Sequence, residues 1–173
     1  MSFPDKKICF LDCFSGISGN MLLGTLLNAG LSQKVLLATL RRLKLPGWKL
    51  SCTPVSVSSL QAASVQVQTD ESGPYRRLSD IRAILERSEL EPIIAERSLA
   101  VFTRLAEAEA HVHGTVPEKI HFHEVGALDA IIDIVGVVAG LHLLGIEEVE
   151  KAILSKTDFA VINHTKSLEI SVK

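Results

Sequence analysis

His121-Phe122-His123-Glu124, followed by Asp129 and Asp133, sets two imidazoles and three carboxylates within one short span of otherwise apolar sequence. In an extended segment alternate side chains share a face, so His121 and His123 point the same way. The run from Ala127 to Leu144 reads as a helix, on which Asp129 and Asp133 lie on one face. Imidazole and carboxylate groups delivered together to a helix N-terminus suit a divalent metal or acid/base chemistry. His121, His123, Asp129 and Asp133 are therefore candidate metal ligands. His111 and His113 cannot both face such a site if they are helical, and His113, at the helix end, is the one expected to join it.

Each residue also has a structural reading. Asp129 falls in a first helical turn, where the helix dipole and free N–H groups favour a carboxylate. Asp133 is embedded in Ala130-Ile131-Ile132-Asp133-Ile134-Val135, so it needs a partner: a metal, a histidine or an arginine. The histidines taken singly suit ordinary imidazoles bonded to backbone. His142 lies across the helix from Asp133 and is not expected at the site.

A second candidate precedes this motif by about a hundred residues. An apolar strand ends at Asp12, and Ser15-Gly16-Ile17-Ser18-Gly19 turns into a helix from about Asn20. Free backbone N–H groups at such a helix start bind anions, and ligands of open α/β sheets collect there. The loop has neither the lysine of a phosphate-binding P-loop nor G-x-G-x-x-G spacing, and a tight turn with serine caps fits it equally. Asp12, this loop and the His121–Asp133 motif are expected to share one cleft.

The elements that must position these residues form an α/β pattern, a small mixed sheet packed by helices with a helical second half. Residues 7–14 read as a buried strand interior to a sheet. The first helix ends near Ala29 with Gly30 at its C′ position. Ser32 starts a second helix with Val35, Leu36, Leu40 and Leu43 as its buried stripe, and Pro46-Gly47 ends it. Residues 48–57 form a strand that Pro54 marks as an edge or a bulge. In residues 63–69, Val65 and Val67 face inward against Gln66 and Gln68, and this strand pairs antiparallel with the one before. All three strands are expected in one sheet. Asp70–Pro74 is loop-like and separates an α/β lobe (1–70) from a helical lobe (75–154). There, Ser79 or Asp80 caps a short helix, and Pro92 starts a longer one that stops at Gly114. The two long helices are expected to touch through Phe102, Leu105, Ile134, Val138 and Leu141.

Composition narrows the class. The 173 residues suffice for a proper core, and 47% hydrophobic with 22% charged residues describes a folded chain. A net charge of −2 without a basic run argues against nucleic acid or a polybasic membrane contact. Residues 126–146 are apolar, but Asp129, Asp133 and His142 would be costly in a bilayer, so a core helix is expected and no membrane partner. The start of the chain shows no secretory signal. Cys9, Cys13 and Cys52, without a C-x-x-C, read as free buried thiols of a reducing cytoplasm.

The segments Asp12-Cys13-Phe14-Ser15-Gly16-Ile17-Ser18-Gly19-Asn20-Met21-Leu22-Leu23-Gly24 and His121-Phe122-His123-Glu124-Val125-Gly126-Ala127-Leu128-Asp129-Ala130-Ile131-Ile132-Asp133-Ile134-Val135-Gly136 closely resemble the LarC family. Ala106–Gly114 is similar to the family's segment before the histidine motif. The resemblance runs in order over roughly residues 7–150. It implies insertion of Ni²⁺ into pyridinium-3,5-bisthiocarboxylic acid mononucleotide, giving a nickel–carbon bond flanked by two sulfur ligands, in a CTP-dependent reaction that makes the nickel-pincer cofactor of lactate racemase. Under that reading Ser15, Gly16, Ser18, Gly19 and Asn20 would hold the substrate phosphate. His123, Glu124 and Asp12 are the candidates to accept the proton lost from the pyridinium carbon. Donor types alone do not choose nickel over zinc, iron or manganese.

Two departures stand out. The family usually has Asp where this chain has Asn20, which keeps an oxygen donor without the charge. Family chains are also longer, continuing into a separate C-terminal domain associated with nucleotide and metal handling, where CTP and its divalent metal would bind. Here residues 155–173 diverge after Asn163-His164, which reads as the N-terminal half of a split gene or a truncated relative. A separately encoded C-terminal chain is then an expected partner, and a homo-oligomer is compatible. The competing readings are a non-catalytic module that holds substrate or nickel for such a partner, and a phosphate-ester hydrolase.

Overall fold

The computed structural model describes residues 7–13, 16–57, 59–70, 76–122, 127–151 and 170–172. Strand β1 (Ile8–Leu11) leads through a loop to helix α1 (Gly19–Asn28) and helix α2 (Gln33–Arg41), followed by β2 (Trp48–Val57) and β3 (Leu60–Thr69). A short β4 (Arg76–Arg77) precedes α3 (Leu78–Glu86) and α4 (Pro92–His113). A 3-10 turn (Pro117–Lys119) and β5 (His121–Phe122) then lead towards α5 (Leu128–Leu143), β6 (Glu148–Lys151) and β7 (Ile170–Val172).

The α/β class is as expected, but the strands are not in one sheet. β1 lies between β6, its parallel partner, and β7, its antiparallel partner, while β2 and β3 form a separate two-stranded ribbon and β4 pairs with β5. β1 is thus interior to a small mixed sheet. The ribbon register runs unbroken from Trp48↔Thr69 to Val57↔Leu60. Pro54 therefore sits in an edge strand without a bulge, where its missing N–H costs no ladder bond. Val65 is buried while Gln66 and Gln68 are exposed, as alternation requires.

Helix boundaries follow their punctuation. Left-handed Gly30 (φ +105°) closes α1: its N–H reaches Leu27 O and the Leu31 N–H reaches Leu26 O at 3.0 Å. This is the paired-bond ending that glycine permits without a Cβ penalty. Pro92 starts α4, and Gly114 ends it in the same way. α3 starts differently from expectation. Arg77 is the residue preceding it, and Asp80 acts from the third position by accepting the Arg77 N–H at 2.8 Å. Ser32 sits at the cap position of α2 without a side-chain cap bond, and Val35 is 45% exposed rather than part of the buried stripe.

α5 is the hub. It packs against α1, α2, α4 and β3, with Ile131, Ile132, Val135 and Ala139 fully buried, and Phe102 of α4 joins the same core. Glycines let α1 and α5 approach closely: a Cβ on Gly136 would meet Leu23, and one on Gly140 would meet both Leu26 and Leu31. As α1 advances from Gly19 to Leu26, its contacts on α5 advance from Asp133 to Gly140, so the two helices run parallel. No described helix is long and apolar enough to cross a membrane.

Candidate functional site at the N-termini of two parallel helices

β1 delivers the chain to its carboxyl end at Leu11, and α1 starts a few residues later. α5 finishes at the opposite end of β1, where Lys7 Nζ donates to Leu144 O at 3.1 Å and the Glu147 N–H to Lys7 O at 3.0 Å. The N-termini of α1 and α5 therefore both lie toward the carboxyl edge of β1. Two positive dipole ends converge where open α/β sheets hold ligands.

Asp133 sits where they meet. Gly19, the first residue of α1, lies directly against it: a Cβ there would be 2.7 Å from Asp133 Cβ and 2.8 Å from Oδ2. The Asn20 backbone N–H donates to the Asp133 carboxylate, whose Oδ1 is buried without a partner among the described residues. Among the described residues neither a histidine nor an arginine bonds to Asp133, and the contact found is a helix N–H. Burial first, and repulsion from Asp129 second, push its pKa up to about 6 against the Asn20 bond. Asp129 itself is exposed in the first turn of α5, with Oδ1 accepting its neighbour Ala130 N–H at 2.9 Å. This matches the dipole reading, while its charge acts on Asp133.

The Ser18–Asn20 segment is tied down by its own side chains. Asn20 Oδ1 accepts from Ser18 Oγ and from the Met21 N–H at 3.0 Å, and Asn20 Nδ2 donates to Val65 O on β3 at 3.3 Å. Aspartate could not donate to that carbonyl, which gives Asn20 a structural role at this position. Gly16 turns back on Cys13 O at 3.0 Å with φ +84°.

The other candidates are placed as follows. Asp12 is exposed in the loop after β1. His121 is exposed on β5, and its Nε2 accepts from Arg77 Nε at 3.1 Å across the β4–β5 pair. His113 is exposed at the last position of α4. His142 pairs with Glu91 at 3.0 Å near the far end of α5. Ser15, His123 and Glu124 lie outside the described residues, as do Asn163 and His164. Among the described residues no three His, Cys, Asp or Glu side chains gather closely enough to hold a metal ion. All three cysteines are free, but only Cys9 is fully buried, and Cys13 lies in the loop beyond β1 rather than in the strand. Burial pushes the Cys9 and Cys13 thiols up, away from the thiolate form.

Sequence reasoning missed the Gly19 approach to Asp133 and the Arg77 bond to His121. The run Asp129-x-x-x-Asp133 beside a glycine-rich helix start was the available signal for the first. Arg77 carries none, because its partner lies on a strand defined only by tertiary pairing.

Comparison with known proteins converges on one family. The family model described as nickel insertion protein matches residues 9–161. The chain is 53% identical over 143 residues to a protein of Roseiflexus castenholzii provisionally named a nickel insertion protein, covering 83% of this chain and 36% of that protein. It is 51% identical over 143 residues to a Desulfitobacterium hafniense protein named pyridinium-3,5-bisthiocarboxylic acid mononucleotide nickel insertion protein, with the same coverage of 83% and 36%. A Desulfotalea psychrophila relative is 47% identical over 143 residues, 83% of this chain and 37% of that protein. The chain thus spans about a third of the length of these relatives. No solved structure matches it.

Proposed function

The chain belongs to the nickel insertion protein family, and from that premise we propose that it handles Ni²⁺ for insertion into pyridinium-3,5-bisthiocarboxylic acid mononucleotide. The observation that carries this reading is the Asp133 carboxylate, held on the α1 N-terminus with Oδ1 buried and without a partner among the described residues. Burying a charged oxygen without a partner is costly, and a cation bound beside it offsets that cost. Asp129 adds negative charge on the same helix. Carboxylate and imidazole donors hold nickel as a borderline ion loosely enough to release it to sulfur and carbon.

In the reaction the pyridinium C–H bond breaks, a nickel–carbon bond forms in its place, and the proton leaves to a base while two substrate sulfurs complete the nickel environment. Asp133 and Asp129 draw the cation to the carboxyl edge of β1. His123, Glu124 and Asp12 are the groups we assign to proton acceptance, and His121 and His113 are at most peripheral donors. The resulting cofactor would serve lactate racemase.

The family resemblance also allows a second reading, a nickel- or substrate-holding module that acts with a C-terminal chain bringing CTP. Nickel titration of the purified chain, and insertion assayed with CTP with and without a C-terminal chain, separate the two. Asp133→Asn is expected to weaken nickel binding about tenfold or more, the scale of losing a charged partner. Unchanged nickel affinity and unchanged insertion in a folded Asp133→Asn protein would remove the basis for both.

A further inference from the structure

The N-terminus of α1 is the obvious place for a mononucleotide phosphate, yet its donors are already in use. The Asn20 N–H holds Asp133 and the Met21 N–H holds Asn20 Oδ1, which leaves Gly19 alone of the first three helical residues. A phosphate placed there would also face Asp133 and Asp129 at close range, and like charges in a partly buried site repel strongly. The protein's own carboxylate is the anion of this helix end.

An exposed guanidinium stands at the start of the same histidine motif. Arg77, exposed on β4, spends its Nε–H on the His121 ring, and among the described residues no carboxylate pairs with its guanidinium. An arginine is always charged, so His121 Nε2 must present its lone pair, with the proton on Nδ1. That bond fixes the plane of the guanidinium, and its two terminal nitrogens, unbonded among the described residues, form a fork of the geometry that grips phosphate bidentately. In chain order β5 is followed by α5, which carries Asp129 and Asp133.

Resting on the reading of the substrate as a pyridinium mononucleotide, we propose that Arg77, positioned by His121, binds the phosphate monoester of that substrate, and that the α1 N-terminus does not. The cationic metal and the anionic phosphate then have separate subsites, carboxylate for one and guanidinium for the other. His121, with Nε2 committed to Arg77, positions the phosphate rather than ligating nickel through that nitrogen.

The test uses the whole chain and two probes that differ only by the phosphate: the mononucleotide of pyridine-3-carboxylic acid and its riboside, titrated calorimetrically. The wild type is expected to prefer the mononucleotide, and Arg77→Ala to cut that preference about tenfold or more, with riboside affinity unchanged. Arg77→Lys, which keeps the charge without the fork, should fall between. His121→Gln, whose carbonyl can accept the same Nε–H, should retain the preference that His121→Ala reduces. Arg104→Ala, exposed on α4 and paired with Glu107, serves as the control. A preference that survives in folded Arg77→Ala, or that vanishes in Ser18→Ala instead, overturns the phosphate assignment and leaves the nickel reading standing. Failure of the wild type to bind either probe overturns the substrate reading and this inference with it.

Discussion

Gly19 and Asp133 touch as only a glycine allows: a methyl group on Gly19 would sit 2.7 Å from the Asp133 Cβ. Gly19→Ala must therefore push α1 away from α5 or swing the carboxylate off the Asn20 N–H. We expect a loss of about 1–3 kcal/mol in denaturant unfolding, the usual range for overpacking. A parallel loss of nickel affinity is expected, because the same displacement moves the carboxylate. Retention of both properties would show that the contact relaxes without consequence.

Asp133 makes stability depend on pH in a direction opposite to most carboxylates. Its pKa is about 6 in the fold against 3.8 as a free group. Between these values the folded chain holds more protons than the unfolded one, so stability falls as pH rises from about 4 to 6 and is flat above. The span is on the order of 1–3 kcal/mol once solvent screening is allowed for. Unfolding of the wild type and Asp133→Asn across this pH range should show the wild type losing ground. Parallel curves would mean that the carboxylate is not strained. Saturating nickel at pH 7 should return part of the difference.

The helix glycines should rank by what their missing Cβ would strike. On Gly24 it would lie 2.2 Å from the Ala63 backbone oxygen of β3, which cannot rotate away. On Gly140 it would meet the tips of Leu26 and Leu31 at 2.9 Å, which can. Thermal unfolding should place Gly24→Ala well below Gly140→Ala, with the latter costing about 1–3 kcal/mol. Equal melting temperatures would contradict the close α1–β3 approach.

His142 should prove dispensable for metal. It sits at the opposite end of α5 from the carboxylates and engages Glu91 at 34% and 49% side-chain exposure, a pair worth about 0–1 kcal/mol. Nickel titration of His142→Ala is expected to match the wild type while Asp133→Asn does not. Equal losses in the two would indicate an effect on the fold rather than on a site.

Local signals were readable in the sequence wherever a residue dictates its own backbone. Gly30, Gly114 and Pro92 mark helix ends that chemistry allows nowhere else, and the Val65–Gln68 alternation places one face of β3 inward. The α4–α5 contact follows from apolar stripes that have no other place to go. Pairing across the chain was not readable in the same way. Glu148-Val149-Glu150-Lys151 looks like a solvated charged run, yet it lies beside β1 in register. A two-residue strand such as β5 carries no periodicity at all. That Asp133 must meet another group was legible because an apolar run with one carboxylate demands a partner. That the partner is a backbone N–H was not, since every residue but proline has one.

The pairing of Cys9 with Val149 joins strands that lie well over a hundred residues apart, as do Gly19 and Asp133 in their contact. Closing such long loops costs entropy before any contact repays it, and topologies rich in distant pairings fold slowly. On a ribosome, α1 and the β2–β3 ribbon emerge well before α5 can cover them. The leucines that will clasp Gly136 and Gly140 therefore lack that cover until α5 is made. Chaperone dependence, or aggregation when translation halts before α5, is the expected consequence of placing the hub helix about a hundred residues after α1.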